Sequence, residues 1–84
     1  MYKLIFDKKA LKKINRLDRI TKKRVWGKLQ ECKKNPQKYL KQLTGIKLFK
    51  LRIGQYRIII DLKKELRILN VLDIGNRKNI YKNL

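Results

Sequence analysis

The sequence predicts a two-layer α+β fold. An N-terminal strand and a helical hairpin pack on an antiparallel β-meander, and a short helix follows at the C-terminus. Three observations support this prediction. Apolar residues recur at helical spacing through residues 8–34, they alternate with polar residues from residue 46, and Gly54-Gln55 interrupts the alternation with a turn signal. With 84 residues, the chain is expected to form a single domain, residues 1–84, because it is too short to build two independent cores.

The first two elements are a short strand and a lysine-rich helix. Residues 2–6 have strand character, and Asp7 offers an N-cap for a first helix over residues 8–18. The apolar positions of this helix follow helical spacing, which leaves its lysines toward solvent. These apolar positions are Ala10, Leu11, Ile14 and Leu17.

A second helix is predicted over residues 22–34. Ile20, Thr21 and Val25 fit the pattern of a hydrophobic staple in which Thr21 is the N-cap, and Asn35-Pro36 ends the helix. Gly27 weakens a helix by about 1 kcal/mol relative to Ala, so packing is expected to hold it in place. The residues predicted to face the core are Val25, Trp26, Leu29 and Cys32.

Three strands are predicted after a connector over residues 35–45. Their expected ranges are 46–53, 56–62 and 66–74, followed by a tail that forms a loop and one helical turn. A two-residue turn at Gly54-Gln55 pairs Arg52 with Arg57, and a slip of one residue would mix the apolar and charged faces. In this register the apolar face carries Phe49, Leu51, Ile53, Tyr56, Ile58 and Ile60, and the opposite face carries Lys50, Arg52, Arg57, Ile59 and Asp61.

The charge is strongly unbalanced. The chain has 25 Lys and Arg residues against 6 Asp and Glu residues, a formal net charge of +19. Such self-repulsion indicates a polyanionic or acidic partner, nucleic acid first, although a merely basic and highly soluble surface is the alternative. A single cysteine and no histidine exclude a disulfide framework and a Cys/His zinc site, and we expect no metal or cofactor. No apolar run approaches the roughly 20 residues of a membrane span, so we expect no membrane partner and a cytoplasmic location.

The predicted topology gathers cations at one end of the sheet. Lys50 and Arg52 lie at the end of one strand, Arg57 begins the next, and Arg77 follows the third, so an antiparallel meander brings them together. Tyr81, four residues after Arg77, would share one side of a terminal helical turn with it. Cations crowded without matching acids indicate a phosphate ligand.

The alternative is a cluster that the protein itself neutralises. Arg57 would then pair with Asp61 or Asp73, and the lysines and arginines of this sheet face would simply be solvated. The sequence alone leaves both interpretations open.

The order of these motifs resembles a RelE-type toxin of the RelE/ParE superfamily over nearly the whole chain. The motifs are Leu43-Thr44-Gly45, Phe49-Lys50-Leu51-Arg52, Gly54-Gln55-Tyr56-Arg57 and Gly75-Asn76-Arg77, with Tyr81 near the end. The resemblance implies a small toxin that enters the ribosomal A site and cleaves the bound messenger RNA. It also implies a RelB-like antitoxin that wraps around the toxin in a hetero-oligomer and holds it inactive.

The resemblance also implies the site residues. The matched catalytic positions are Lys50, Arg57, Arg77 and Tyr81, and the cations expected to contact RNA phosphates are Lys47, Arg52 and Lys78. RelE-type toxins often carry a further lysine two residues before the Lys50 position, where this chain has Leu48. Lys47 should point to the opposite sheet face, and it could substitute only if the strand is bulged there.

These residue types suit RNA cleavage by the substrate's own 2′-hydroxyl. The reaction needs a base, stabilisation of charge on the phosphate and an acid for the leaving 5′ oxygen. A lysine is a base only in its neutral form, which neighbouring cations favour, and Lys50 is expected beside Arg52 and Arg57. Arg57 and Arg77 would hold the phosphate, and Tyr81 would stack on a base or orient the hydroxyl. The acid is unassigned between Arg77 and a ribosomal group.

Two other functions are compatible with the sequence. A ParE-like inhibitor of DNA gyrase would not need this cation cluster. A non-catalytic RNA-binding or ribosome-binding protein would be favoured by exposed aromatic residues among the cations, but Phe49 and Tyr56 fall on the predicted core face.

Overall fold

The computed structural model describes residues 1–83 and has the predicted α+β architecture. The elements in chain order are β1 (Lys3–Phe6), α1 (Lys8–Asn15), α2 (Arg19–Lys34), α3 (Pro36–Tyr39), β2 (Leu40–Gln42), β3 (Phe49–Ile53), β4 (Tyr56–Lys63), β5 (Ile68–Asn76) and a 3₁₀ turn (Ile80–Asn83). The five strands in these residues form one sheet in the order β1-β5-β4-β3-β2, with β1 parallel to β5 and the other neighbours antiparallel.

The hydrophobic core lies between the helices and one face of the sheet. The periodicity of the two long helices correctly predicts their buried positions, except that Leu11 is exposed and that Leu17 and Trp26 are only half-buried. The helices contribute Ala10, Ile14, Val25, Leu29 and Cys32, and the sheet contributes Leu51, Ile53, Ile58, Ile60, Leu69, Val71 and Ile74. Burial raises the pKa of the Cys32 thiol to about 11, so this cysteine is a packing residue and not a nucleophile.

The β3–β4 hairpin has the predicted register. Ile53 lies opposite Tyr56 and Arg52 lies opposite Arg57, with Gly54 at a positive φ of 56° in the turn. Glycine adopts this backbone conformation without steric cost, which is why the turn signal at Gly54-Gln55 was informative.

The other strand ends differ from the prediction because of local turns. β3 begins at Phe49 and not at residue 46, since Gly45 has a φ of 81° and the amide of Leu43 donates to the carbonyl of Leu48 across a loop. β5 begins at Ile68 and not at residue 66, because Arg67 takes a left-handed φ of 55° that a strand cannot contain. At its other end β5 continues to Asn76, opposite Tyr56.

The connector contains two elements that the sequence analysis missed. Residues 36–39 form a single helical turn, α3, and residues 40–42 form the edge strand β2. A strand of three residues is too short to show alternation. Its pairing with β3 defines it, and this pairing is visible only in the tertiary structure.

The two long helices also begin or end at positions other than those predicted. α1 ends at Asn15, and α2 begins at Arg19 with Asp18 as its N-cap. The Asp18 carboxylate accepts a hydrogen bond from the amide of Thr21, and this bonding holds the pKa of Asp18 below its ordinary value. Thr21 is therefore not the cap. Ile20 is 75% exposed, so the predicted hydrophobic staple is absent as well.

The 3₁₀ turn packs on the sheet next to β5. Ile80 is buried, and a Cβ placed on Gly75 would lie 3.1 Å from Ile80 Cδ1. Glycine at this position lets the C-terminal turn lie directly against the strand.

Across residues 1–83, no helix combines the length and apolarity needed to cross a membrane.

Candidate functional site

The cations of β2, β3 and β4 line a small cleft at the surface of the sheet. Its volume is about 150 Å³, and we call it the cationic cleft. It unites three of the predicted site residues, Lys50, Arg52 and Arg57, with two residues that were not predicted. The complete lining is Tyr39, Lys41, Lys50, Arg52 and Arg57.

Two pairs of like charges lie directly opposite each other in this cleft. Lys41 of β2 faces Lys50 of β3, and Arg52 of β3 faces Arg57 of β4. Directly opposed side chains share one face of a sheet, and like charges in this arrangement are destabilising. Four cations on three neighbouring strands thus form a site whose repulsion an anionic ligand would relieve.

The acids that could have neutralised the cleft are paired with other residues. Asp61 lies 3.2 Å from the ammonium of Lys63. Asp73 accepts a 2.8 Å hydrogen bond from Lys13 of α1 and lies 3.6 Å from Lys9. The alternative interpretation, in which Arg57 pairs with Asp61 or Asp73, is therefore wrong.

Backbone carbonyl groups hold Arg57 in position. Its Nη1 donates to the carbonyl oxygens of Gly54 at 2.8 Å and Tyr56 at 2.9 Å, and the residue is only 8% exposed. Its Nε and Nη2 donate to no protein atom among residues 1–83. Because Nε and Nη2 form one side of the guanidinium fork, Arg57 retains a bidentate donor suited to a phosphate.

Tyr81 extends the cluster from the C-terminal turn. Its ring centroid lies 5.9 Å from the ammonium of Lys50, so the 3₁₀ turn brings an aromatic face beside the cleft. The ring is partly exposed and borders a second small cavity with Leu43, Thr44 and Ile46.

Arg77 lies at the predicted end of the sheet, but not in the predicted conformation. Its amide donates to the carbonyl of Gln55 at 2.9 Å, which places its backbone beside the β3–β4 turn. The terminal turn begins at Ile80, so Arg77 precedes it and does not share a helical face with Tyr81. The amide of Lys78 donates to Asn76 Oδ1 in the same connection, and both Arg77 and Lys78 are exposed.

Lys47 lies elsewhere. It belongs to the loop before β3 and lines a larger cavity of about 620 Å³ together with Asp61 and Lys63. The structure therefore does not bring Lys47 to the cationic cleft. Lys47 does not replace the lysine that RelE-type toxins often carry at the position of Leu48.

The two additional cleft residues come from the connector. Tyr39 ends α3, and Lys41 is the middle residue of β2. The only sequence signal was the pattern Leu40-Lys41-Gln42, in which a single lysine stands between an apolar and a polar residue. This pattern is too short to predict a strand.

Solved structures share this fold. A chain of the E. coli RelBE toxin–antitoxin complex is 25% identical, with a TM-score of 0.79, and the match covers 90% of this chain and 96% of that chain. A chain of the RelBE2 complex from Mycobacterium tuberculosis is 20% identical, with a TM-score of 0.82 and coverages of 90% and 98%. The isolated E. coli RelE toxin is 24% identical, with a TM-score of 0.79 and coverages of 99% and 94%. No curated protein matches the sequence significantly.

A family model identifies the class of protein. The model described as "ParE toxin of type II toxin-antitoxin system, parDE" matches residues 4–81. The protein is thus a toxin of a type II toxin–antitoxin system. The chain belongs to the ParE toxin family of the RelE/ParE superfamily, which confirms the resemblance inferred from its motifs.

Proposed function

We propose that this toxin is a ribosome-dependent endoribonuclease that cleaves messenger RNA in the ribosomal A site and thereby inhibits translation. The proposal rests on the cationic cleft, in which four cations and no acid form the charged lining, beside the ring of Tyr81. An unneutralised site of this kind matches the charge of a phosphodiester and of the transition state formed from it.

Arg57 is the proposed phosphate ligand. Two carbonyl groups already fix its guanidinium, so binding a phosphate through Nε and Nη2 requires little further ordering of the side chain. As the 2′-oxygen attacks phosphorus, negative charge grows on the nonbridging oxygens, and a fixed cation stabilises that charge most effectively. Arg52, directly opposite, would add a second positive charge.

Lys50 is the proposed base and Tyr81 the proposed stacking platform. Lys50 would accept the 2′-hydroxyl proton while the 2′-oxygen bonds to phosphorus, giving a 2′,3′-cyclic phosphate and releasing the 5′ oxygen. The ring of Tyr81, next to Lys50, would hold the neighbouring base in place. The proton for the 5′ oxygen would come from Arg77 or from a ribosomal group.

The ribosome supplies what this site lacks. The cleft has no histidine or paired carboxylates, and positioned acid–base groups contribute about 10²–10⁴-fold to a rate. A site with a single base and electrostatic stabilisation should therefore act slowly on free RNA. A surface that holds the messenger in an attack geometry would supply much of the remaining acceleration.

Substitutions at two predicted site residues test the nuclease. We expect Lys50→Ala and Arg77→Ala each to lower messenger cleavage on programmed ribosomes by at least about 10²-fold, because each removes a group acting in the transition state. Single-turnover cleavage measures the rate, and primer extension after brief expression locates the cuts at ribosome-occupied codons. Binding of each variant to ribosomes should change far less.

The control is Lys47→Ala, which removes an exposed cation outside the cleft. It should cleave at close to the wild-type rate. Equal cleavage by wild type, Lys50→Ala and Arg77→Ala would reject the proposed mechanism.

Inhibition of DNA gyrase is the second candidate, because the matching family model is that of ParE. A supercoiling assay with purified gyrase distinguishes the two functions. Inhibition that survives Lys50→Ala, with no messenger cleavage by wild type, would replace the nuclease by a gyrase inhibitor.

We further propose that a RelB-like antitoxin binds this toxin and covers Arg57 and Arg77. The E. coli and M. tuberculosis relatives are components of toxin–antitoxin complexes, and a charge of +19 favours an acidic partner. Co-expression with the adjacent reading frame should yield a stable hetero-oligomer without nuclease activity. Purification of the toxin alone from such a co-expression would contradict this.

A further inference from the structure

A second basic depression lies between α2 and the β3–β4 turn. Its volume is about 350 Å³, and we call it the α2 groove. Its charged lining consists of three cations and one acid, Glu31, which lies 3.8 Å from the Lys28 ammonium in an exposed pair. The complete lining is Arg24, Gly27, Lys28, Glu31, Arg52, Ile53 and Gly54.

The α2 groove adjoins the cationic cleft. Arg52 lines both depressions. The ammonium of Lys28, in the groove, lies 4.7 Å from the ring centroid of Tyr39, in the cleft. The cleft and the groove are therefore contiguous at a cation, Arg52, that a chain leaving the cleft would pass.

Arg24 and Arg57 border the same turn. A Cβ placed on Gly54 would lie 3.4 Å from Arg24 Nη2, and Arg57 donates to the carbonyl oxygen of Gly54. One guanidinium belongs to the α2 groove and the other to the cationic cleft. They are thus placed to bind successive anionic groups of one ligand.

Gly27 has no structural explanation within the fold. It lies in the middle of α2, where glycine is unfavourable, and a Cβ placed there would meet no atom within 4 Å. Packing therefore does not require a glycine. Because Gly27 has no side chain, a ligand backbone can approach the α2 groove closely at this position.

We propose that the α2 groove is a phosphate subsite for the RNA strand whose scissile bond occupies the cationic cleft. This inference rests on the proposed function. Arg24 and Lys28 bind the backbone of the strand beyond the cleft, and Gly27 admits it. RNA suits the groove better than a protein helix because Ile53, the only large apolar residue of the lining, is buried.

Binding of uncleavable RNA tests the subsite apart from catalysis. Fluorescence anisotropy would compare a labelled trinucleotide and octanucleotide, both 2′-O-methylated throughout, over a series of salt concentrations. Arg24→Ala should weaken octanucleotide binding about fivefold at 0.1 M salt and reduce the slope against log salt by about 0.7, since one phosphate contact is lost. The trinucleotide, which is too short to extend from the cleft into the groove, should lose less than twofold.

Two controls separate the subsite from general charge and from folding. Lys12→Ala removes an exposed cation of α1 and should leave the slope closer to that of wild type. Gly27→Leu should weaken octanucleotide binding without changing the charge. Gln30→Leu, a change at another exposed position of the same helix, should not weaken it. Circular dichroism would verify that each variant folds.

The outcomes are distinct from those of the nuclease test. Equal effects of Arg24→Ala and Lys12→Ala, or no RNA binding by wild type, would overturn the subsite. It would also be overturned if Arg24→Ala weakened antitoxin binding alone, since the groove would then be a protein site. Binding that depends on Arg24, without cleavage on ribosomes by wild type, would reject the nuclease and retain the groove as an RNA site.

Discussion

Arg57 and Asp73 are the charged residues that residues 1–83 bury most completely, at 8% and 5% exposure. Their environments are opposite. Two lysines of α1 surround the Asp73 carboxylate, whereas only backbone carbonyl groups accept hydrogen bonds from Arg57. Asp73 therefore contributes to attaching a helix to the sheet, whereas no acid pairs with Arg57 among residues 1–83, as its proposed role in binding phosphate requires.

Asp73 should make stability depend on pH in the acid range. Burial acts to raise its pKa, but the hydrogen bonds from Lys13 and from the Ile74 amide outweigh burial, and the pKa lies below its ordinary value of 3.8. The folded state thus holds the proton less tightly than the unfolded state. The stabilisation is complete above about pH 4 and is lost as the pH falls through the lowered value.

Urea unfolding of wild type and Asp73→Asn between pH 2 and pH 7 measures this contribution. We expect the variant to lose about 1.5–3 kcal/mol at pH 7, the range for hydrogen bonds to charged groups, and to show a flatter acid limb. Asp61→Asn, which breaks a more exposed ion pair, should cost less than about 1 kcal/mol. If the free energy of unfolding of Asp73→Asn fell with decreasing pH as steeply as that of wild type, Asp73 would not be the source of the pH dependence.

At the level of elements, the two N-caps are a matched pair. Both Asp7 and Asp18 stand in extended conformation before a helix, but only the side chain of Asp18 accepts a hydrogen bond from an amide of its helix. We expect Asp18→Ala to cost about 1 kcal/mol, because the Thr21 amide loses its acceptor, and Asp7→Ala to cost less. Chemical denaturation compares the two variants. Equal losses would show that the hydrogen bond of Asp18 is not what stabilises the start of α2.

The elements that the sequence predicts are those with a local cause. The β3–β4 register follows from Gly54 at the turn and from strict alternation on either side, so it was predictable to the residue. The start of α2 was not predictable in this way, because Asp18 and Thr21 are both good N-cap residues and the helix begins after the earlier of the two. β2 was missed because only its pairing with β3 makes it a strand, and Tyr39 and Lys41 were missed with it.

At the scale of the whole molecule, the charge of +19 should oppose folding through self-repulsion and favour the binding of anionic partners. Added sodium chloride screens the self-repulsion, so the Tm should rise with salt. If screening recovers about 1 kcal/mol, a domain of this size gains about 4–8 °C. Differential scanning fluorimetry from 0.05 to 0.5 M salt measures the change, and a falling Tm would show that attractive ion pairs dominate.

Salt should have the opposite effect on the proposed binding of RNA, whose affinity would fall as counterion release becomes less favourable.

Topology alone predicted that Lys50, Arg52 and Arg57 meet at one end of the sheet. It could not predict which acids remain available to them, because the pairing of Asp73 with Lys13 depends on how α1 docks on β5. Tertiary packing thus determines that no acidic residue lines the cleft.

The close approach of the C-terminal turn to β5 relates the position of Tyr81 to the lack of a side chain at residue 75. A methyl group added there would lie 3.1 Å from the end of the Ile80 side chain, which would have to shift by a few tenths of an ångström. The pairing of β4 with β5 would not need to change. Because Tyr81 directly follows Ile80, a residue bulkier than alanine at position 75 is expected to alter the distance between the aromatic ring and Lys50.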